Sequence, residues 1–521
     1  MSGPGKSLST YYEQINIEDR WDEFPPTKAD RERLARYERN RLLYRNEHER
    51  VFQRANLFTD PQEEDVRESI YSKLNFCRLL SDKTADHLFG EDIVFKSPSD
   101  SEAINESMAA ISMRSNLPVE EWTGAVEQSY CGETILRVRY DGLREGAEKG
   151  CYIETTPAAH YFEELDLENM RDVKGVALAY VVRRENESGL IEDILHRELY
   201  RPGRWRRERW KLNGHGQKAA LEYQSEWEET HYTGIPVWRI PNQRAGSYWG
   251  IDDYESLISL QDSLNNALSR LERVLDKYSD PLLAAPEGVF GDEPAELASQ
   301  LTSFAELTPE KWRMLNAALD AARYRTRMRE MKVMEGDPEL LGTLPRYVEW
   351  SADLASRLEQ IKQIIDAMMM VSETNPTALG LQTTASVESG WALSIKMSGF
   401  HAKIRRRQQN WHKALAEAMF AALSMEHGFM GGPLPELPDI IWPSGLPRNE
   451  SEDVDRAVKM YSGGVASLET AIRKAQPDLS DEGVQDEIKR IKQELDEARQ
   501  RNQEDLSAAG LFGDAEGDEG R

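Results

Sequence analysis

Two long stretches of the chain place their apolar residues three or four positions apart, which is the spacing of an amphipathic α-helix. The first covers residues 252–278, contains no glycine or proline, and predicts a rod of roughly 40 Å. The second covers residues 348–371 and predicts a rod of about 36 Å. Because an insert separates the rods, we expect an antiparallel helical hairpin. The apolar positions expected to pack in it are Leu257, Leu264, Leu268, Leu271, Leu354, Leu358, Ile361 and Ile365.

Neither apolar stripe extends all round its helix, so the remaining faces of both rods are expected to contact partners or solvent. The insert at residues 281–347 contains a helix-start signal, in which Thr308 can cap and Pro309 occupies the first turn. A segment of this length predicts a compact knob rather than a structureless loop.

The first 240 residues mix both kinds of periodicity, and this predicts an α+β region. We expect helices at residues 28–54 (one or a pair), 67–89, 105–113 and 119–130, and strands at residues 93–95, 133–140, 151–155, 173–183, 191–200 and 205–212.

Two arginine-rich segments in this region allow a nucleic-acid interpretation and a structural one. In residues 28–54 the interspersed glutamates favour a solvated, salt-bridged helix surface. Residues 196–212 interleave aromatic residues with arginines, which suits either a single-strand binding platform or a hairpin with one wet face. The opposing net charge of the chain favours the hairpin.

After the second rod, the chain alternates irregular and helical segments. Residues 372–385, SETNPTALGLQTTA, predict an irregular loop. A helix is expected from about residue 386 to 427, with a bend at Gly390 or Gly399, and its basic part at 401–413 is expected to pair with carboxylates. Beyond this helix we expect a linker at 428–447, helices at 451–461, 468–475 and 481–501, and an acidic, disordered end over the last twenty residues.

The chain is strongly acidic, with 92 Asp and Glu against 65 Lys and Arg and a formal charge of −27. This charge opposes tight wrapping of DNA or RNA, but it allows a passage along which DNA slides without sticking. The three cysteines, Cys77, Cys131 and Cys151, lack metal or redox spacing and predict buried thiols in a reducing compartment. We expect no signal peptide and no membrane span, hence a soluble protein.

The sequence shows no enzyme signature: GxxxxGK[ST], GxSxG and HExxH are absent, and the nine histidines have no ligand spacing. Asp252, Asp253 and Glu255 could be read as a metal cluster of a nuclease. Adjacent aspartates at a helix start point in different directions, however, and the helix dipole accounts for them. We therefore predict no catalysis, no metal and no cofactor.

Five segments taken in order resemble the portal protein of tailed double-stranded DNA bacteriophages, nearest to the siphophage type of Gram-positive hosts. They are NFCRLLSDKTADHLFGEDIVF, YCGETILRVRYDG, IPVWRIPNQRAGSYWGIDDYESLISLQDSLNNALSRLERVLDKYSDP, ESGWALSIKMSG and GGVASLETAIRKAQPDLSDEGVQDEIKRIKQE. The resemblance covers roughly residues 30 to 500 and rests on the order and spacing of the segments.

The resemblance implies an α+β, portal-type fold with a wing, a two-helix stem, a small α/β clip, a long bent helix and a helical crown. The implied divisions are the wing (1–245), first stem helix (246–280), clip (281–347), second stem helix (348–371), tunnel loop (372–385), long wing helix and linker (386–449), crown (450–503) and disordered acidic tail (504–521).

Two sets of site residues follow from the same resemblance. The tunnel loop would bring Glu373, Thr374, Asn375, Pro376, Thr377, Gln382, Thr383 and Thr384 to the DNA channel. The clip would use Phe290, Trp312 and Arg313 to contact the terminase or an adaptor. Since the loop contains no lysine or arginine, it cannot grip phosphates by charge.

The implied function is a homo-oligomeric ring, usually of twelve subunits, at one vertex of the capsid, assembled in the host cytoplasm and kept in the virion. Double-stranded DNA would enter and leave through it. Its implied partners are the terminase large subunit, the major capsid and scaffold proteins, and a head-completion adaptor. The alternative is a helical structural adaptor or scaffold protein that does not conduct DNA, which predicts a monomer or dimer without a central hole.

Overall fold

The computed structural model describes residues 15–21, 23–53, 71–142, 149–169, 172–185, 189, 191–212, 218–244, 248–279, 283–286, 313, 333–336, 346–347, 354–380, 390–443, 450–476 and 481–508. The chain forms two compact units. The larger comprises residues 1–386 and 395–443, and the smaller comprises residues 387–394 and 444–521.

The larger unit contains both helices and strands. The helices are α1 (Lys28–Tyr44), α2 (Phe76–Phe89), α3 (Glu102–Ser115), α4 (Leu117–Cys131), α5 (Ile258–Ser279), α6 (Leu354–Val371), α7 (Gly390–Met430), α8 (Glu450–Ser462), α9 (Leu468–Ala475) and α10 (Asp481–Ala508). Of these, the smaller unit contains α8, α9 and α10. The strands are β1 (Val94–Lys96), β2 (Glu133–Asp141), β3 (Gly150–Thr156), β4 (Tyr161–Leu165), β5 (Val173–Glu185), β6 (Ile191–Arg201), β7 (Arg204–Leu212), β8 (Lys218–Gln224), β9 (Glu228–Glu229), β10 (Val237–Pro241), β11 (Leu283–Pro286), β12 (Val333–Gly336), β13 (Arg346–Tyr347) and β14 (Asp439–Ile441).

The strands of the described residues form four separate sheets, and this confirms the predicted α+β class. The largest sheet runs β4-β5-β6-β7-β8, with β9 paired to β7, and all of its pairings are antiparallel. A second sheet has the order β10-β2-β3, and β1 pairs with β14. Within the insert, β11 pairs with β12 in parallel and with β13 antiparallel.

The arginine-rich segment at residues 196–212 folds as the β6–β7 hairpin, which confirms the structural interpretation. Arg201 pairs with Arg204 across the turn, where Gly203 takes a φ of 77° that an L side chain rarely adopts. Arg207 lies 4.8 Å over the ring of Trp205 within the sheet. Side chains that suggested a binding platform are therefore already engaged with one another.

Helix α1 is a surface helix with an exposed, salt-bridged side, as predicted, but Arg33 on its inner side is buried, which was not expected. The guanidinium of Arg33 bonds Asp30 at 3.0 Å and the carbonyl of Tyr161 at 2.8 Å, and it lies 4.2 Å over the ring of Trp249. Hydrogen bonds and a carboxylate satisfy the charge, so this side of the helix can pack against the rest of the fold.

The second predicted helix starts later than expected, at Phe76 rather than residue 67. The side chain of Asn75 accepts from the backbone amide of Arg78 at 2.9 Å and so caps the first turn. Residues 71–75 have no regular secondary structure, and residues 67–70 lie outside the described part of the chain.

Helix α5 begins at Ile258, six residues after the predicted start of the first rod. The cause is Asp252, whose Oδ1 accepts from the amides of Tyr254 and Glu255 at 3.0 and 2.8 Å and forms a turn before the helix. The second rod ends at Val371 as predicted, whereas its predicted start at 348–353 falls outside the described residues.

The two rods pack together through one hydrophobic cluster that also includes residues of α2 and of the turn after α6. The eight positions expected to pack differ in burial. Leu257, Leu264 and Ile361 are buried, and Leu268, Leu271 and Ile365 are partly buried against the cluster. Leu354 is half-buried, and Leu358 is 56% exposed. Seven of the eight thus face protein, while Leu358 does not within this chain.

A buried polar stripe on α5 was not predicted. Gln261, Asn265 and Ser269 are completely buried, one helical turn apart. Gln261 accepts from the amide of Phe76 at 3.2 Å and donates to the carbonyl of Leu74 at 2.8 Å, and Asn265 meets the ring of His48 at 2.7 Å. The stripe ties the irregular segment before α2 to the rod, because each buried polar group needs a partner.

Helix α7 is one element that passes through Gly399 without ending, and it starts at Gly390. In the smaller unit, α8, α9 and α10 match the three predicted helices. Helix α10 continues to Ala508, so residues 504–508 are helical and the expectation that the disordered tail starts at residue 504 is wrong. None of the helices in the described part of the chain has the length and hydropathy needed to span a membrane.

Candidate functional site

Asp253 lies in the turn before α5, and side chains from the middle of α7, the end of α4 and the segment after β10 converge on its carboxylate. Lys403 on α7 lies 3.2 Å from its Oδ1, and Arg407, one turn further along, bonds Oδ2. Ser129 at the end of α4 donates to Oδ2 at 2.6 Å, and Asn242 donates to Oδ1 at 3.2 Å. We call Asp253, Lys403 and Arg407 the ionic junction.

The ionic junction is largely removed from water, with the three side chains exposed by 9–10% or less. Burial by itself would raise the pKa of Asp253, but Arg407 and Lys403, with the hydrogen bonds from Ser129 and Asn242, hold the pKa far below its usual range. For Lys403, burial lowers the pKa and outweighs the opposing effect of Asp253. Such a buried ion-pair cluster fixes the relative positions of the elements that carry it.

Asp252 and Asp253 have different tasks, which bears on the metal-cluster hypothesis. Asp252 caps the turn, and its pKa is raised by burial, with Arg36 at 3.7 Å acting in the opposite direction. Glu255 is exposed. Among the described residues, no group of three or more His, Cys, Asp or Glu side chains is placed to hold a metal ion.

Lys403 also reaches the chain segment that leaves α6. Its ammonium donates to the carbonyl of Ser372 at 3.0 Å. Arg406 pairs with Glu373, the next residue along the loop. The basic part of α7 therefore pairs with carboxylates of its own chain, as the sequence predicted, and in doing so it holds the start of the loop.

Helix α6 ends in a tight cap. Glu373 takes a φ of 55°, its amide donates to the carbonyl of Met370 at 3.3 Å, and the amide of Thr374 donates to Met369 at 2.9 Å. This is the hydrogen-bond pattern of a Schellman motif, with a glutamate where glycine is usual. The sequence gives no signal for a helix end at this glutamate.

The described half of the loop packs against the protein. The side chain of Asn375 donates to the carbonyl of Lys396 on α7 at 2.6 Å and accepts from the amide of Ala378 at 2.7 Å. Ala378 and Leu379 are buried, and Leu379 joins the hydrophobic cluster of α5 and α6. The segment is irregular, as predicted, but residues 372–380 are fixed to α6 and α7.

The loop residues expected at a DNA channel divide into two groups. Glu373, Thr374, Asn375, Pro376 and Thr377 lie in the fixed half: Glu373 is exposed and the other four are half-buried. Gln382, Thr383 and Thr384 lie outside the described residues, as do Phe290 and Trp312 of the expected clip. Arg313 is an exposed helical residue.

Comparison with known proteins identifies the family of the chain. The family model described as "Phage portal protein, SPP1 Gp6-like" matches residues 27–501. No curated protein matches. Among solved structures, a chain of the "Neck of native GTA particle computed with C12 symmetry" is similar at 12% identity, with a TM-score of 0.41, over 77% of this chain and 88% of that chain.

Proposed function

The chain belongs to the SPP1 Gp6-like family of phage portal proteins, and from this membership we propose that it forms a ring that conducts double-stranded DNA into and out of a capsid. The observation that carries the proposal is the family match over residues 27–501. The match also confirms the portal family that the order of sequence segments indicated. The siphophage type and the Gram-positive host stay predictions.

We propose that α5 and α6 are the stem helices of the ring. The support is that α6 leaves apolar side chains uncovered within one chain: Leu358, Met370 and Val371 are exposed by 56%, 80% and 46%. A neighbouring copy would cover these side chains in a closed ring. Family membership suggests twelve copies.

The loop after α6 would face the channel in two parts. Residues 372–380 would form its base, since Lys403, Arg406 and the backbone of Lys396 already hold them. Gln382, Thr383 and Thr384 would then reach DNA through polar side chains, because the segment has no lysine or arginine. An acidic chain with a charge of −27 suits a duplex that has to slide rather than stick.

The remaining assignments follow the family pattern. Residues 281–347 would be the clip, with Phe290, Trp312 and Arg313 toward the terminase large subunit or the head-completion adaptor. Residues 1–245 would be the wing that meets capsid and scaffold proteins, and residues 450–503 the crown. The assembled ring would occupy one vertex of the virion, after assembly in the host cytoplasm.

A packaging experiment tests the role of the loop. A variant lacking residues 382–384 is compared with one in which the same three positions are glycine, so that length is kept. Both should assemble like the wild type, because the ionic junction and the fixed half of the loop are intact. The deletion should lower the DNA retained per particle, and the glycine variant shows how much of the loss belongs to the side chains. Normal packaging and retention by the deletion variant would refute the loop assignment.

A further inference from the structure

A cavity of about 300 Å³ opens between the end of α1, the outer side of α4 and the end of β3. Tyr44, Trp122, Val126, Glu127, Tyr130 and Pro157 are among its lining residues. The volume is at the lower end of the roughly 300–1,000 Å³ range of ligand pockets. We call it the α4 pocket, and none of its residues belongs to the ionic junction or to the loop.

Aromatic rings form the walls of the α4 pocket, and hydrogen bonds fix two of them. The rings of Tyr44 and Tyr130 stack with their centroids 5.4 Å apart. The hydroxyl of Tyr44 donates to Asp82 at 2.8 Å, and Nε1 of Trp122 donates to Asp86 at 3.0 Å. The faces of such rings are negative and attract cations. The guanidinium of Arg78 already lies 5.5 Å over the ring of Tyr44, which also stacks on Tyr130, so the rings of Trp122 and Tyr130 are the ones offered to a further cation.

Glu127 supplies the carboxylate of the α4 pocket. Its Oε1 accepts from the amide of Ala158 at 3.0 Å, and its Oε2 accepts from the hydroxyl of Thr134 at 3.3 Å. Each oxygen can accept a further hydrogen bond. Across the described residues, no lysine or arginine side chain forms an ion pair with Glu127, so its charge is left without a partner.

We propose that the α4 pocket binds the ammonium or guanidinium group of an organic cation, with the rings of Trp122 and Tyr130 beside the cation and Glu127 as its counter-charge. A cation satisfies both the ring faces and the carboxylate, whereas an anion would meet repulsion from each. Two sources carry this chemistry: a free polyamine, or a lysine or arginine side chain of a partner protein. The inference does not depend on the ring proposed above.

The protonation of Glu127 links binding to pH. Burial raises the pKa of Glu127 to about 7, nearby Glu133 adds to the effect, and the hydrogen bonds from Ala158 and Thr134 oppose it. Tyr130 and Cys131 are the other titratable groups that interact with it. Because a cation favours the ionised carboxylate, binding releases a proton, and affinity should rise with pH through 7.

Titration calorimetry on the full chain tests the proposal with n-butylammonium and methylguanidinium as probes and butan-1-ol as the neutral match. We expect the two cations to bind and the alcohol not to bind. Since the ionised fraction of a group with a pKa near 7 changes about tenfold between pH 6 and pH 8, the affinity should be about tenfold higher at pH 8.

Two variants and one control make the test specific. Glu127→Gln keeps the acceptor for the amide of Ala158. It should lower the affinity for both cations at least tenfold and abolish the pH dependence of binding. Trp122→Leu removes one aromatic wall and should lower the affinity for both cations severalfold. This variant is the second test if Glu127→Gln does not fold. Glu106→Gln removes an exposed carboxylate of α3 and should leave binding unchanged.

Spermidine and Nα-acetyl-lysine methylamide separate the two sources. Tighter binding of spermidine identifies a free polyamine as the ligand, and tighter binding of the lysine derivative identifies a protein side chain. Absence of cation binding, equal binding of butan-1-ol, or unchanged affinity in both variants would overturn the proposal.

Discussion

The ammonium of Lys403 donates to the carbonyl of Ser372 at 3.0 Å while it lies 3.2 Å from the carboxylate of Asp253. One side chain of α7 is thus bonded both to the turn that starts α5 and to the residue that follows α6. This geometry makes the end of α6 and the start of its loop depend on a charge located far away in the sequence.

Removal of the carboxylate should destabilise the larger unit. In Asp253→Asn, Lys403 and Arg407 remain buried without their counter-charge, which typically costs about 3 to 5 kcal/mol of the free energy of unfolding. Urea unfolding at pH 7 measures the change. Glu255→Gln, at an exposed carboxylate two residues away, is the control and should stay within about 0.5 kcal/mol of the wild type. A loss below about 1 kcal/mol in Asp253→Asn would show that the ionic junction is not structurally important.

Removal of the ammonium should loosen the loop more than the fold. Lys403→Met keeps the aliphatic stem and leaves Arg407 paired with Asp253, while the carbonyl of Ser372 loses its donor. We expect faster hydrogen exchange over residues 372–380 than in the wild type, with a smaller change in α5. Lys413→Met, at a side chain that is 80% exposed, is the control. Equal exchange in the two variants would contradict the proposed anchoring.

The sequence predicted β1, β2, β3, β5, β6 and β7, which carry clear strand patterns, but it did not predict β4, β8, β10 or β14. It could not predict the ionic junction. Asp253 and Arg407 are 154 positions apart. In the sequence, the first looks like an acidic residue at a helix start and the second like part of a basic, exposed helix surface. The burial of Arg33 was missed for a related reason: charge density suggested a wet surface, whereas local and distant acceptors satisfy the guanidinium.

Local polar bonding also accounts for the misplaced helix starts. Asn75 and Asp252 each accept backbone amides and define where α2 and α5 begin, although apolar periodicity continues on the N-terminal side of both. The polar stripe with Gln261 and Asn265 lies on the side of the rod that was expected to contact partners or solvent. Only the position of the segment before α2 reveals that the stripe is buried.

Acid should weaken the protein through His160. Burial, with a contribution from Arg137, lowers the pKa of His160 to about 4. The unfolded chain, with a pKa near 6.5, then binds more protons between these values, so stability is present above pH 6.5 and falls as pH decreases toward 4, by at most about 3 kcal/mol.

His160→Phe tests this dependence, because a phenyl ring can keep the stacking on Tyr180, whose centroid is 5.0 Å away. We expect the free energy of unfolding of the variant to fall less between pH 6.5 and pH 4 than that of the wild type. His427→Phe, which removes an exposed imidazole, should retain the wild-type slope. The same slope in His160→Phe and the wild type would contradict the assignment.

A charge at Met370, an apolar position of α6 that is uncovered within one chain, should block ring formation without unfolding the chain. Met370 is 80% exposed within one chain, so Met370→Asp should change the free energy of unfolding by no more than about 0.5 kcal/mol. In the proposed ring the same carboxylate would be buried against a neighbour, which is costly without a partner. Sedimentation velocity should show that Met370→Asp no longer forms the ring-sized species. The control Gln360→Asp adds the same charge at an exposed polar position of α6 and should still form it. Formation of a normal ring by Met370→Asp would show that this position of α6 does not lie in the subunit interface.

Single-particle imaging of the purified full chain tests the central claim most directly. The portal function predicts ring-shaped particles, with a rotational symmetry close to twelvefold and an open bore along the axis wide enough for a DNA duplex, roughly 20 Å. Monomers, dimers or closed particles without a bore under assembly conditions would contradict the account and favour the structural adaptor.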